Sequence, residues 1–594
     1  MTTSVAARAP VDASRRLVLP GWTASAGALA GYLGIVLLLF REAWSDPFHR
    51  IIGGHGDAEA SMWYLTWAPW ALLHGQNPLV THQMGVPAGV NLMWHTPQTL
   101  TALVAWPVTA AGGPVLSYNL MMTLAPAVSA WCAHLVIRRH VPGGLPALLG
   151  GLLYGLSPYM LAHSVGHLNL TTVWVPALML LVLEEVLVRQ RRPWPVGGAA
   201  LGLLATCQLF ISEELLASEA LIAAVAAAVL AVLFRPEVGP RVAHALRAVA
   251  VAAGVVAALG GWAIGIQFLG GHRVHGGVQP PGVYVTDLLN LVVPTDVQGL
   301  APGWAPSVSS SFTGNGSERN GYLGIPLIAV LVVVAVRRRD RPLVPVAALT
   351  GLAAVVLSMG PSLHVAGHRT HVPLPEALVG RLPVLANLLP GRLMLYAFLM
   401  AAVLVAVFVD EVRHSRRSAV AGGLLLGATI VTLFPRLPFP SSPVSTPAFF
   451  TGAAVRQIPQ DEVALVAPFV SSPVPDDPML WQALSGMRFR MPEGYYQGPD
   501  RQGRRIYGPA PSTTAAAMEA IWATGRAQPL NRALRRGIAA DLMAWSVRDI
   551  VVGPMPHQAE MTAFMTALTG RAPLQSGGVE LWTHVDPRTL AAVP

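Results

Sequence analysis

The chain contains no lysine, and cysteine is almost as scarce, with two among 594 residues. Cys132 and Cys207 both sit in apolar stretches, which argues against a disulfide framework and against a cysteine-based zinc site. Charged residues make up only 12% of the chain, about half the ~25% of an ordinary soluble domain. The sequence also has no Gly-x-x-x-x-Gly-Lys phosphate loop, no glycine-rich dinucleotide fingerprint after a strand and no His-Glu-x-x-His. ATP-driven transport by this chain alone is therefore not expected.

What fills the space is apolar. Hydrophobic residues account for 53% of the sequence, and the mean hydropathy is +0.51. A water-soluble globule cannot bury that much apolar surface, and disordered chains are poor in it. The fold class expected is mainly α: a polytopic transmembrane helix bundle. Apolar runs long enough to cross a bilayer occur at about 21–40, 115–137, 145–161, 172–188, 196–212, 215–234, 246–268, 321–336, 343–359, 393–410 and 418–434, giving about eleven spans. The first run ends in Phe40-Arg41-Glu42-Ala43-Trp44, which offers no small-residue cleavage site, so it reads as an uncleaved span. The shorter stretches 58–74 and 97–111 read as interfacial or re-entrant helices.

The net charge of +9 comes entirely from arginine. In a soluble protein this excess would suggest nucleic acid; here it reads as topology. Arg8, Arg15 and Arg16, the pair Arg138-Arg139, Arg189, Arg191, Arg192 and the run Arg337–Arg339 fall on one side of the proposed membrane. The other side carries scattered single arginines such as Arg273 and Arg319. By the positive-inside rule the N-terminus is cytoplasmic and, with eleven spans, the C-terminus is extracytoplasmic.

Residues 1–434 are thus expected to form the membrane part and 435–454 a proline-rich linker. Residues 455–594 read as a small α/β domain on the outer face, with strands near 462–470, 548–552 and 580–585 and helices near 513–524 and 558–568.

Ionisable groups beside a bilayer are costly, by about 2.5–3.5 kcal/mol at a helix centre, and are functional candidates by default. Most gather on the proposed outer side. The first outer loop reads Gly53-Gly54-His55-Gly56-Asp57-Ala58-Glu59. Asp57 can face a membrane-surface pocket or cap the helix that follows, with Glu59 in its first turn. Trp63, Tyr64, Trp67 and Trp70 then suit the headgroup level. Glu213 and Glu214 separate two spans and either line a pocket or cap the next helix. Glu219, deeper, reads as hydrogen-bonded within the bundle. His163 and His167 have the His-x3-His spacing that places two rings on one helix face; without a third ligand in the run, loop or phosphate-contacting histidines fit better. His272 and His275 flank Arg273 in the same manner. The loop 270–320 adds Tyr284, Asp287, Asp296, Glu318 and Arg319. Arg392 opens a span from outside, where it suits an anion such as a phosphate or snorkels to the interface. Glu185 and Arg189, at i,i+4 spacing, are structural, as are Glu184, Asp410, Glu411 and Arg413.

Several motifs in order resemble the GT-C superfamily of polytopic membrane glycosyltransferases, in particular YfhO-like bacterial members. They are Gly56-Asp57 in the first outer loop, Tyr154-Gly155-Leu156-Ser157-Pro158-Tyr159 through His163 and His167, Tyr322-Leu323-Gly324, Ser358-Met359-Gly360-Pro361, and Pro390-Gly391-Arg392-Leu393. The resemblance covers most of 50–400. It implies a polyprenyl-phosphate sugar donor, an acceptor that is a cell-envelope glycan, lipid or protein, and inverting transfer at the outer face of the cytoplasmic membrane. Asp57 would be the base with Glu59 as a second acid, and His163, His167, Glu213, Glu214, Glu318 and Arg392 would bind the donor. Such a paired acid can accompany a divalent cation, Mg or Mn; no metal-ligand residues are assigned. The rival readings are a transporter or flippase of lipid-linked glycan and a non-catalytic envelope assembly protein. The missing lysine and the abundance of Ala, Gly, Pro and Arg point to a high-GC genome of actinobacterial type, for which arabinose or mannose donors are natural expectations.

Overall fold

The computed structural model describes residues 21–277, 279–414, 416–471, 476–500 and 502–590. Arg8, Arg15 and Arg16, expected on the inner side, lie outside the described residues. Eight helices among the described residues are long and apolar enough to span a bilayer: Trp22–Leu39, Thr99–Arg138, Gly144–His163, Leu168–Arg189, Trp194–Ile211, Glu213–Leu233, Arg235–Leu269 and Pro390–Val412. Three shorter apolar helices, Ile325–Arg337, Leu343–Ser358 and Ala419–Leu433, occupy the remaining expected positions. The chain is a membrane protein with a mainly α fold. Met394–Val412 is apolar all round and runs through the centre of the bundle, buried from Met394 to Asp410, as expected of a helix with no polar face.

Local chemistry sets the breaks. Thr99–Arg138 changes course at Gly113, whose φ of 81° and ψ of 174° no helix tolerates, and Pro114 restarts it. The stretch 97–111 is therefore a short helix joined end to end with the span after it. Ser157 caps the helix starting at Pro158, accepting from Met160 N at 3.3 Å, and Ser212 caps Glu213–Leu233, accepting from Leu215 N at 3.4 Å.

The arginine-bearing turns meet at one end. Arg139 pairs with Glu184 and Glu185 at 3.4 and 3.1 Å, Arg338 with Glu411 at 3.0 Å, and Arg413 with Asp410 at 2.7 Å while also reaching Pro142 O. The expected Glu185–Arg189 pair is replaced. Glu185–Arg189 forms a π-turn, which is wider than an α-turn, and Arg189 binds Glu184 at 2.7 Å instead.

The C-terminal unit carries a four-stranded sheet ordered Leu574–Ser576, Val579–Trp582, Asp549–Val552, Ala464–Ala467. The last two are parallel, with Ile550 opposite Leu465, and the other pairings are antiparallel. Both parallel strands are buried along their whole length, as central strands covered on two faces should be. Their alternating side chains serve two cores. Leu465, Ala467, Ile550 and Val552 pack under the unit's own helices. Ala464, Val466 and Val551 face Trp481, Phe450 and, from the first loop, Trp63 and Trp67 on the helix Asp57–Leu73.

Two expectations change for this reason. Trp63 and Trp67 are not headgroup anchors: they are fully buried under the C-terminal unit, with Trp63 Nε1 donating to Gln482 Oε1 at 2.6 Å. Nor is 435–454 a free tether, since Ser441–Pro443 pairs antiparallel with Arg50–Ile52 and Phe449 and Phe450 are core residues.

That strand pair fixes the first loop. Gly53 donates to Pro440 O at 2.8 Å, and Gly54 to Val165 O at 3.0 Å. Gly53 has φ +91°, and a Cβ there would lie 2.4 Å from the Val165 backbone. Gly53→Ala is expected to destabilise the fold by about 2–4 kcal/mol through combined φ strain and overpacking. A thermal transition unmoved from wild type would refute the close approach.

Candidate active site

Asp57 owes its freedom to its neighbours. Gly56, at φ +103°, is the N-cap of Asp57–Leu73, and Glu59 turns back to it: Gly56 N donates to Glu59 Oε2 at 2.7 Å, and His55 Nδ1 lies 2.6 Å from Oε1. Glu59 is fully buried. The capping duty thus falls on Glu59, a reciprocal use of the third helical residue. Asp57, the first helical residue, is left with its carboxylate in a cavity of about 1020 Å³, where the helix N-terminus favours negative charge. Its direct partner is His167, with Nε2 3.2 Å from Oδ2. Burial opposes ionisation of Asp57, but the fields of His167, His95 and Arg392 outweigh it and bring the pKa down to about 2. Burial likewise works against the charged form of His167, and Asp57 overrides it, so that pKa lies above the ordinary value.

A second wall holds a charge triad. Arg392 donates through Nε and Nη2 to Glu318 Oε1 at 3.0 and 2.6 Å, and its Nη1 contacts Glu214 Oε2. Glu214 also accepts from Leu389 N at 3.0 Å. Glu213, next in sequence, lines the cavity beside them. Two carboxylates on one guanidinium leave the triad with net negative charge. Arg392 is therefore no free anion receptor, and the phosphate role expected for it does not fit this geometry. The cations on the cavity wall without a carboxylate partner among the described residues include Arg369, which donates to Ser362 Oγ at 2.8 Å, and Arg381.

The third wall was missed in the sequence. The C-terminal hairpin Gln497–Pro499 with Arg505–Tyr507 brings Tyr495, Gln497, Arg505 and Tyr507 to the cavity, facing Trp94 and His95 of the membrane part. Burial holds His95 neutral, with a pKa of about 4. A contact across more than 400 residues leaves no local pattern. The available signal was compositional: three tyrosines and three arginines among the glycines of 494–508.

Of the expected residues, Asp57, His167, Glu213, Glu214, Glu318 and Arg392 converge on this one cavity. His163 does not reach it. It is buried behind His167, with ring centroids 5.2 Å apart, and its Nε2 lies 3.2 Å from Asn320 Nδ2. Glu59 is a capping residue, and the paired-acid arrangement for Mg or Mn is not formed: Asp57 is engaged with an imidazole while Glu59 is spent on its cap. His55, Glu59 and Asp477 are the only trio of candidate metal ligands among the described residues, with ligand atoms within 4.8 Å, and the same capping bonds occupy Glu59. Asp287 is structural, accepting from Leu289 N, Ala366 N and Gly367 N. Glu219 is buried with neither oxygen hydrogen-bonded among the described residues, so the expected bond within the bundle is not made.

The family model described as "Domain of unknown function (DUF6311)" matches residues 28–435, well over half of the chain. The chain belongs to the DUF6311 family. The matched region of this DUF6311 chain stops short of the hairpin that closes the cavity. A search of the curated proteins finds no match. Among solved structures, the arabinofuranosyltransferase AftD from mycobacteria aligns over 96% of this chain at 14% identity with a TM-score of 0.55. The chain spans 40% of that transferase's length. The oligosaccharyltransferase of Archaeoglobus fulgidus aligns over 89% of this chain and 69% of its own at 12% identity, TM-score 0.45. ArnT from Cupriavidus metallidurans aligns over 96% and 99% at 12% identity, TM-score 0.41. At such identities the AftD likeness speaks for the fold, and the DUF6311 chain has a GT-C-like fold, as its motifs implied.

Proposed function

We propose that the chain is an inverting membrane glycosyltransferase that moves a sugar from a polyprenyl-phosphate donor to a hydroxyl of a cell-envelope glycan, lipid or protein. The observation that carries this reading is an ionised carboxylate, Asp57, held by a protonatable His167 in a large polar cavity at the mouth of a helix bundle. One side of that cavity is apolar, with Leu209, Leu216, Ala217, Ala220, Ile264 and Phe268 from bundle helices, and suits a prenyl chain. Arg369 and Arg381 supply unbalanced positive charge for the phosphate.

In the reaction, Asp57 takes the proton of the acceptor hydroxyl as its oxygen bonds to the anomeric carbon. The bond from that carbon to the phosphate oxygen breaks, and the electron pair leaves with polyprenyl phosphate. Displacement from the opposite face inverts the anomeric configuration.

The site is assigned to the extracytoplasmic face, with the N-terminus cytoplasmic and the C-terminal unit outside. The gathering of arginine-rich turns at the opposite end of the bundle supports this orientation. A transporter would need polar groups through the bundle depth, whereas these acids collect at one end with Glu219 as the exception. Incubating the purified protein with a panel of polyprenyl-phosphate sugars, arabinose and mannose included, tests the reading. Release of polyprenyl phosphate is expected with at least one donor, and release with none would overturn it.

A pH profile tests the Asp57–His167 pair. With a pKa of about 2, Asp57 stays ionised through the working range, so transfer should show no acid limb above about pH 4. His167→Asn removes the nearest favourable field and leaves the burial, opposed by His95 and Arg392 alone. The Asp57 pKa then rises, and because only the ionised form accepts a proton, the acid limb moves up with it. A limb that stays in place would remove His167 from the mechanism.

A further inference from the structure

The hairpin wall has the chemistry of a sugar subsite. Tyr495 and Tyr507 lie as parallel plates, ring centroids 5.5 Å apart with 4° between their planes. The His95 ring meets both edge-on, at 4.8 and 6.1 Å. Beside them the Arg505 guanidinium stacks over Trp94 at 5.6 Å and donates Nη2 to the Trp94 carbonyl at 2.8 Å. All of these groups line the cavity that holds Asp57.

Several of their polar atoms are buried with no hydrogen-bond partner among the described residues: Arg505 Nε, Trp94 Nε1, His95 Nδ1 and Gln497 Oε1. Buried polar atoms are normally satisfied, and an unpaired one is costly. Four unpaired polar atoms on side chains of one cavity wall, each just beneath its surface, give that wall hydrogen-bonding capacity that a ligand can engage by a small side-chain rotation. The ligand must match donors and an acceptor interleaved with aromatic planes. A prenyl chain matches the planes and wastes the polar atoms. A free phosphate matches Arg505 and wastes the planes. A pyranose or furanose ring matches both: its C–H face is apolar, and its hydroxyl edge both donates and accepts. Glu213 and Glu214 lie within the field of Arg505, so the wall does not call for an anionic sugar.

We propose that this wall, formed by Tyr495, Gln497, Arg505, Tyr507, Trp94 and His95, is the acceptor subsite, and that the acceptor is a glycan. The proposal rests on the glycosyltransferase reading and narrows its acceptor from glycan, lipid or protein to glycan. The terminal sugar lies against the tyrosine wall and turns one hydroxyl toward Asp57, while the donor enters from the apolar side. The C-terminal unit, beyond the family match, is then the part that selects the acceptor.

The test uses the full chain in lipid nanodiscs. Linear arabinofuranosyl, mannosyl and glucosyl oligosaccharides are titrated by calorimetry, with an unstructured peptide as comparison. At least one oligosaccharide series is expected to bind saturably and the peptide not at all. Tyr507→Ala and Tyr495→Ala are expected to weaken that binding at least tenfold, whereas Tyr507→Phe, which keeps the ring plane, stays within about threefold of wild type. The Phe variant guards against misreading a folding defect as lost recognition. Absence of binding to every oligosaccharide, or equal binding by both Ala variants, overturns the proposal. Donor turnover by the unaltered protein is measured separately. Glycan binding at this wall with no polyprenyl phosphate released from any donor would overturn the transferase reading, and with it the acceptor role, while leaving a glycan site.

Discussion

Asp57→Asn is expected to lower sugar transfer by about 10²–10⁴-fold, the usual contribution of a positioned general base, and to leave the fold intact. The substitution is isosteric. The side chain caps nothing, because Glu59 and Gly56 close the helix start between them. What disappears is the charge that accepts the proton and raises the pKa of His167. The native state favours ionised Asp57, with a pKa of about 2 against the ordinary 3.8. The ionised carboxylate therefore contributes stability above the ordinary carboxylate range, which is lost as pH falls toward 2. Asn forfeits that contribution at neutral pH, so a modest drop in the thermal transition accompanies the loss of transfer. Glu59→Gln gives the opposite pattern: a weakened helix start, costing about 1 kcal/mol, with transfer retained. The pair of variants separates the two acids. Undiminished transfer by Asp57→Asn, measured as the rate at which polyprenyl phosphate is released with acceptor present, would reject the base.

The contrast between these acids also marks the limit of the sequence. Asp57 and Glu59 two residues apart fit a paired acid as well as an N-cap with an acid in the first turn, and only the backbone at Gly56, the actual N-cap, decides between them. Spans could be read directly, because an apolar run must satisfy its backbone within itself whatever surrounds it. Glu213, Glu214 and Glu318 could be read as site residues because charge at a bilayer boundary needs a reason. Arg392 was legible as a site residue but not in its role, since its two carboxylate partners lie 178 and 74 residues away. The hairpin wall was illegible: Arg505 meets Trp94 across 411 residues, and Trp63 meets Gln482 across 419. No periodicity records a contact made by two units that happen to share a core. The displaced ion pair at Arg189 has the same origin on a smaller scale, for one π-turn changes which acid the arginine faces.

Arg392→Ala is expected to be the most destabilising single change at the site. Arg392, Glu214 and Glu318 keep 15%, 21% and 2% side-chain exposure, so their charges have largely left water. Such a triad adds little net stability while complete, because desolvation offsets most of the attraction. Removing the cation is different. It leaves two carboxylates facing one another with no counter-charge, a loss of about 3–5 kcal/mol for a broken buried pair. Arg392→Lys recovers part of that, since the charge remains but the fork that serves both acids does not. The combined variant Arg392→Met, Glu214→Gln, Glu318→Gln removes all three charges together and is expected to regain most of the stability lost by Arg392→Ala. Thermal unfolding of the detergent-solubilised chain reads all three. If Arg392→Ala melts where wild type does, the two carboxylates are not closed around this guanidinium. The cation is then free after all, and the donor phosphate returns to Arg392 from Arg369 and Arg381.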